Sequence, residues 1–215
     1  MNGRGGKRII TGVDLDNTLV SYDALLFELA LGRGLITSNT PQDKTAIRDA
    51  VRLLKGGEER WMELQAELYG PSMERARLIG GVSAFFSLCR GHDIPVYVIS
   101  HKTRFAARDK TGTDLRAAAT GWMRANGFFD PDGMALPPEH VFFESTRASK
   151  LARIRALGCT HFVDDLEETF LEPEFPMETE QLLFRPSGRA GFSGNWRMFT
   201  DWESISAHFR KDVLS

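Results

Sequence analysis

Residues 9–19 read IITGVDLDNTL. A β-branched, apolar run from Ile9 to Val13 ends on Asp14, and Asp16, Asn17 and Thr18 follow before the chain turns apolar again at Leu19 and Val20. Such a run has the pattern of a short strand buried on both faces of a parallel sheet. Two carboxylates one residue apart at its end predict that the extended backbone stops there. The chain is expected to turn just after Asp14 and so bring both acids to one target.

Outward from this stretch the pattern repeats. IPVYVISHKT reads as a buried strand ending at Ser100, HVFFES as another, CTHFVDD as one ending on Asp164 and Asp165, and QLLFRP as one more. Helical segments alternate with them: GGVSAFFSLCRGHD, TDLRAAATGWMRANGFF with Leu115, Ala119 and Trp122 aligned, TRASKLARIRALG stopped by Gly158, a short turn around LEETFL, and a last helix, DWESISAHFRK. Strands alternating with helices from Gly81 onward predict an α/β fold, a Rossmann-like doubly wound parallel sheet. In such sheets ligands gather beyond the carboxyl ends of the strands.

One block departs from the alternation. DALLFELAL, SNTPQDKTAIRDAVRLLKGG and EERWMELQAELYG carry helical spacing, with Ile47, Val51 and Leu54 on one face of the second and Trp61, Leu64 and Leu68 on one face of the third. Residues 21–79 therefore read as a small helical cap inserted into a core made of residues 1–20 and 80–215. Within it Tyr22, Arg33, Trp61 and Tyr69 are candidates for selecting substrate, though helical spacing reads most of them as packing, and the glycines of ELALGRG read as a hinge. EPEFPMETE and SGRAGFSGN read as loops, and Phe192, Trp196, Phe199 and Trp202 as packing aromatics.

The chain has 215 residues, with 27 Lys and Arg against 29 Asp and Glu. Near-neutral charge without a basic tract argues against nucleic acid and against a polybasic membrane anchor as partners. No apolar run is long enough to span a bilayer, and the first residues lack the apolar core of a secretory signal. Cys89 and Cys159 lie in oily surroundings without metal-ligand spacing, as expected of buried thiols in a reducing cytoplasm.

The strand ends carry Asp14, Asp16, Ser100, Asp164 and Asp165, and Lys150 lies in the helix before the last acidic pair. Four acids on one sheet edge repel one another and call for a counter-charge, which a divalent cation and a lysine supply. Oxygen ligands without His or Cys suit Mg2+.

This constellation resembles the haloacid dehalogenase superfamily over about Lys7 to Leu171: GVDLDNT matches its first motif, VYVIS its second, Lys150 in STRASKLARI its third, and HFVDD its fourth. The resemblance implies that Asp14 is a nucleophile towards phosphorus and that Asp16 is the acid and then the base. It implies Mg2+ held by Asp14, the main-chain carbonyl of Asp16 and Asp164, with Asp165 in support. Ser100 would bind a phosphate oxygen, Lys150 would pair with Asp14 and the phosphate, and Thr18 would support the loop and Asp16 as part of the phosphate-binding set. Lys102 and Lys110 are rivals of Lys150, which the position of the family's lysine favours. An acid at position 16 marks phosphatases and phosphomutases within the superfamily, since dehalogenases lack it. The expectation is a Mg2+-dependent phosphatase acting on a small phosphorylated metabolite. The alternatives are a phosphomutase and a regulatory module that binds phosphate without turnover. The loop after Ser100 places His101, Lys102 and Arg104 as further candidates for substrate contact, with a solvated loop as the plain alternative.

Overall fold

The structure is a computed structural model that describes residues 8–107, 112–188 and 191–214. The decisive stretch forms a three-residue strand, β1 (Thr11–Val13), every residue of which is buried. Lys7, where the family resemblance begins, lies outside the described residues. A two-residue strand β2 (Val20–Ser21) follows, then helices α1 (Asp23–Gly32), α2 (Lys44–Arg52) and α3 (Gly57–Tyr69), and strand β3 (Arg77–Leu78). The alternating part runs α4 (Val82–Gly91), β4 (Val96–His101), α5 (Leu115–Ala125), β5 (Val141–Glu144), α6 (Arg147–Ala156), β6 (His161–Asp164), α7 (Glu167–Phe170), β7 (Glu180–Phe184), β8 (Arg197–Phe199) and α8 (Trp202–His208).

Six strands form one sheet in the order β5-β4-β1-β6-β7-β8, and every pairing is parallel. From β1 the chain winds outward through β4 and β5, then crosses back to β6 and winds the other way, so the order reverses beside β1. That reversal opens a crevice at the carboxyl ends of β1 and β6. Successive residues of each strand feed opposite faces. Val98, Val163 and Leu182 join one apolar cluster with α4 and α8, whereas Ile99, Phe162 and Leu183 join a second with α6. Two cores, one on each face, are what make the sheet doubly wound.

Helix starts follow local chemistry. Asp43 accepts from the Ala46 N–H, Asp114 from Arg116 and Ala117, Thr146 from Ser149 and Asp201 from Ser204, each satisfying an otherwise unpaired amide of a first turn. The second helix of the inserted block is shorter than its periodicity suggests. It ends at Arg52, so Ile47 and Val51 are fully buried while Leu54, beyond the end, is 37% exposed. The glycines expected as a hinge sit at a helix end. Gly32 ends α1 and Gly34 adopts a left-handed turn after it (φ 66°), so these glycines terminate a helix. The block is joined to the core by an antiparallel ribbon in which Val20 pairs with Leu78 and Ser21 with Arg77. The sequence pattern marks neither this ribbon nor β8.

Two contacts fix the carboxyl edge from behind. Trp202 of α8 packs on Phe85 and Phe184 and donates its indole N–H to the Thr18 carbonyl at 2.9 Å, pinning the loop after β1. Gly12, at the centre of β1, faces Phe162: a Cβ there would lie 2.5 Å from the ring's Cδ2 and 3.1 Å from Cys159 Sγ. Gly12→Ala is therefore expected to destabilise the protein by about 1–3 kcal/mol through overpacking. Urea unfolding measures the effect, and an unchanged midpoint would show that Phe162 yields freely.

Among the described residues no helix is long and apolar enough to cross a membrane. Cys89 and Cys159 are buried and free, and burial pushes each thiol up to about 12, which leaves both protonated and inert at neutral pH.

Candidate active site

Register brings the first acids together. Val13 pairs with Val163, so the next residues, Asp14 and Asp164, stand level at the ends of adjacent strands, and the Asp14 N–H donates to the Val163 carbonyl at 2.9 Å. Beyond Asp14 the chain turns on Leu15, whose carbonyl accepts from the N–H groups of Leu19 (2.9 Å) and Val20 (3.1 Å). Asn17 takes the left-handed conformation this tight turn requires (φ 59°), which asparagine tolerates better than most residues. The turn carries Asp16 to the same cleft as Asp14.

Lys150 is delivered by the first turn of α6, and it is 2% exposed. Its Nζ donates to Asp14 Oδ1 at 2.6 Å and to Asp164 Oδ2 at 2.7 Å. Asp164 also accepts from the Leu166 N–H at 2.9 Å. Ligand atoms of Asp14, Asp164 and Asp165 all lie within 4.8 Å of one another. Burial, together with the charges of Asp164 and Asp16, outweighs Lys150 and pushes the Asp14 carboxyl up to about 7. Asp165 is pushed well above the usual range by burial and by Asp164 and Asp14. Burial alone would lower the Lys150 ammonium, but its contacts with Asp14 and Asp164 hold it above its ordinary value.

Three mutually repelling carboxylates against one ammonium form a donor set that a hard, oxygen-seeking divalent cation fits. The Asp16 carboxylate stands outside this trio, and the ligand expected from Asp16 is its main-chain carbonyl. Tyr22 Oη donates to its Oδ1 at 2.6 Å, and Lys102 Nζ lies 2.8 Å from Oδ2. Those two contacts leave its main-chain carbonyl as the ligand that the resemblance implies.

A cleft of about 340 Å3 opens over this edge. The core contributes Asp14, Asp16, Ser100, His101, Lys102, Lys150 and Asp165, and the inserted helices contribute Lys44, Gln65 and Tyr69. Ser100 is 1% exposed, and its hydroxyl has no hydrogen-bond partner among the described residues. A buried, unpaired hydroxyl at the floor of a cleft is poised to serve a ligand oxygen. His101 lines the cleft with Nε2 3.2 Å from the Ser145 carbonyl oxygen. A larger hollow of about 1040 Å3 adjoins the cleft and shares Asn17, Lys44, Asp165 and Leu166 with it.

Other sequence-based candidates fall elsewhere. Thr18 is wholly buried and does not line the cleft, so its hydroxyl is not placed to meet a substrate. Arg104 pairs with Asp114 on the protein surface, Arg33 pairs with Glu67, and Trp61 is core. Lys110 lies outside the described residues. Tyr22 and Tyr69, which read as packing in the sequence, reach the site, as do Lys44, Gln65 and Arg147. Nothing in sequence spacing marks these five, since the fold of the insertion or the start of α6 brings Tyr22 to Asp16 and the other four to the cleft.

The fold is that of the haloacid dehalogenase-like hydrolases. A haloacid dehalogenase-like family hydrolase from Xanthomonas campestris is similar at 14% identity over 95% of this chain and 96% of its own, with a TM-score of 0.55. A HAD family hydrolase from Deinococcus radiodurans, with bound phosphate and sodium, is similar at 13% identity over 94% and 96%, with a TM-score of 0.57. A protein described as a dehalogenase shares the fold at 10% identity over 96% and 99%, with a TM-score of 0.55. No protein-family model matches the sequence, and no curated protein matches it.

Proposed function

We propose that this protein is a Mg2+-dependent phosphatase of the haloacid dehalogenase superfamily that hydrolyses a small phosphomonoester through a phosphorylated Asp14. The observation that carries the reading is the meeting of Asp14, Lys150 and Asp164 from three separate elements within hydrogen-bond distance. Ser100, with a buried and unpaired hydroxyl on the same cleft, supports it. Residues 21–79 act as the cap over a core of residues 1–20 and 80–215. The buried free cysteines favour a reducing, cytoplasmic setting.

The chain's own groups define the steps. Asp14 attacks phosphorus in line with the ester oxygen, forming an Asp14 O–P bond as the ester P–O bond breaks. Asp16 gives its proton to the leaving oxygen. Asp16 then takes a proton from water, whose oxygen attacks the phosphorylated Asp14, and the Asp14 O–P bond breaks to release phosphate. Ser100 donates to a phosphate oxygen, and Lys150 keeps Asp14 oriented. A bound Mg2+ would be held by Asp14, Asp164, Asp165 and the Asp16 carbonyl, and would offset the repulsion between anionic nucleophile and anionic phosphate.

The test is p-nitrophenyl phosphate hydrolysis with Mg2+ and with a chelator. Activity is expected only with the metal, and metal-independent release would overturn the reading. Asp16→Asn is expected to bind metal and substrate but to lower turnover about a hundredfold or more, measured as kcat. An acid at position 16 is also what favours a phosphatase over a dehalogenase. A phosphomutase, the second reading from the same residue, would instead move phosphate between positions of a sugar and release little of it.

A further inference from the structure

Asp16 is gripped from two sides. Tyr22 Oη donates to Oδ1 at 2.6 Å, and Lys102 Nζ lies 2.8 Å from Oδ2 and 3.1 Å from Oδ1. Both donors are buried: Tyr22 is 1% exposed and Lys102 4%. They come from opposite parts of the fold. Tyr22 follows β2 in the ribbon that joins the inserted helices to the core, at the start of α1. Lys102 follows β4, where its N–H donates to the Glu144 carbonyl at 2.8 Å. Tyr69, at the end of α3, covers both: its ring meets Tyr22 edge-on at 5.0 Å and lies 5.2 Å from Lys102 Nζ. Lys102 lines the cleft, and there its ammonium is turned to the Asp16 carboxylate as its ion-pair partner.

We propose that Tyr22 and Lys102 are positioning residues for Asp16, a clamp that fixes the plane of its carboxylate so that it faces the reacting phosphorus. The proposal rests on the reading of Asp14 as nucleophile and Asp16 as acid and base. Donors on both oxygens stop the carboxylate from turning about its terminal bond, and proton transfer depends steeply on that geometry. Tyr69 shields the clamp from water, which strengthens both contacts. The clamp thereby ties the geometry of Asp16 to the docking of the inserted helices.

The two chemical steps respond differently to its loss. With an aryl phosphate the leaving group departs as a stable phenolate, so forming the Asp14 O–P bond asks little of Asp16. Breaking that bond with water needs Asp16 as base for every substrate. Tyr22→Phe and Lys102→Met are therefore tested by rapid mixing with p-nitrophenyl phosphate and Mg2+. The expected result is a burst of p-nitrophenolate followed by steady turnover about tenfold slower than wild type or more, with phosphorylated Asp14 accumulating, KM falling along with kcat, and kcat/KM little changed. Lys102→Arg is expected to shrink the burst by restoring a donor. If Lys102 contacts the substrate's phosphate instead, Lys102→Met will raise KM and slow the first turnover without a burst, and the clamp is overturned for Lys102. Equal losses in both steps together with a lower unfolding temperature would reduce the pair to structural residues. A wild-type enzyme phosphorylated on Asp14, with Tyr22→Phe indistinguishable from it, sinks the clamp alone. Release that survives Asp14→Asn, with no phosphorylated aspartate, sinks the parent reading and the clamp together.

Discussion

Asp14→Asn is expected to lower phosphate release by about three orders of magnitude or more while leaving the protein folded, because an amide nitrogen and a neutral amide oxygen do not replace an attacking carboxylate. The stability of this variant sharpens the test. Burial and the neighbouring acids push the Asp14 carboxyl up to about 7, so above the usual carboxylate range its ionised form is disfavoured in the folded chain relative to the unfolded one. Its charge is therefore a cost to folding that grows as pH rises from that range towards 7, and the neutral amide of Asp14→Asn removes it. In a metal-free buffer at neutral pH the unfolding midpoint of Asp14→Asn is expected to hold or rise, even though Lys150 loses one charged partner. With Mg2+ the order should reverse, because wild type gains binding energy that the variant, short of one ligand, gains less of. Activity and metal-free stability thus move in opposite directions at one residue. A fall in both would mark Asp14 as a structural residue. Turnover at the wild-type rate would remove it as nucleophile.

Legibility in the sequence followed the physics of each element. β1, β4 and β6 are buried over most of their length, and short apolar stretches rich in Val, Ile and aromatic residues mark them off from the helices between them. β8 is an edge strand of three residues, two of them exposed, that follows a glycine-rich loop and leaves almost no periodic signal. The two-residue strands of the ribbon are shorter than any pattern can register. The same distinction governs the site. Asp14, Asp164 and Ser100 sit at strand ends, and a parallel sheet carries its strand ends to one edge whatever the loops do. The grip on Asp16 is a different matter, since Lys102 lies 86 positions away and faces Asp16 only because β4 pairs beside β1. Tyr22 reads as core in the sequence, and its ring is core. Its hydroxyl is the functional part, and a tyrosine serves both uses at once.

Lys150→Met carries the largest expected effect on stability. Lys150 is the ammonium that neutralises two buried carboxylates at 2.6 and 2.7 Å, and removing one partner of such a cluster strands the others in a poorly solvated place. The loss is expected to reach about 3 kcal/mol in metal-free buffer at neutral pH, near the low end of the range for broken buried pairs. Two features hold it there. Asp14 already titrates near 7 and will take up a proton once Lys150 is gone, which exchanges an unpaired charge for a neutral acid. The methionine keeps most of the volume of the lysine side chain, whose Nζ lies over the Phe162 ring at 5.4 Å from its centre. Mg2+ then discriminates between a general defect and a charge defect. A cation seated among Asp14, Asp164 and Asp165 supplies the missing positive charge, so added Mg2+ should raise the unfolding midpoint of Lys150→Met by more than that of wild type. Catalysis should stay impaired, because the cation does not hold Asp14 in the orientation that Nζ fixes. Urea unfolding with chelator and with Mg2+ reads both effects. An identical metal response in wild type and variant would mean that the three acids do not form the cation site, and the proposed chemistry would lose its charge balance.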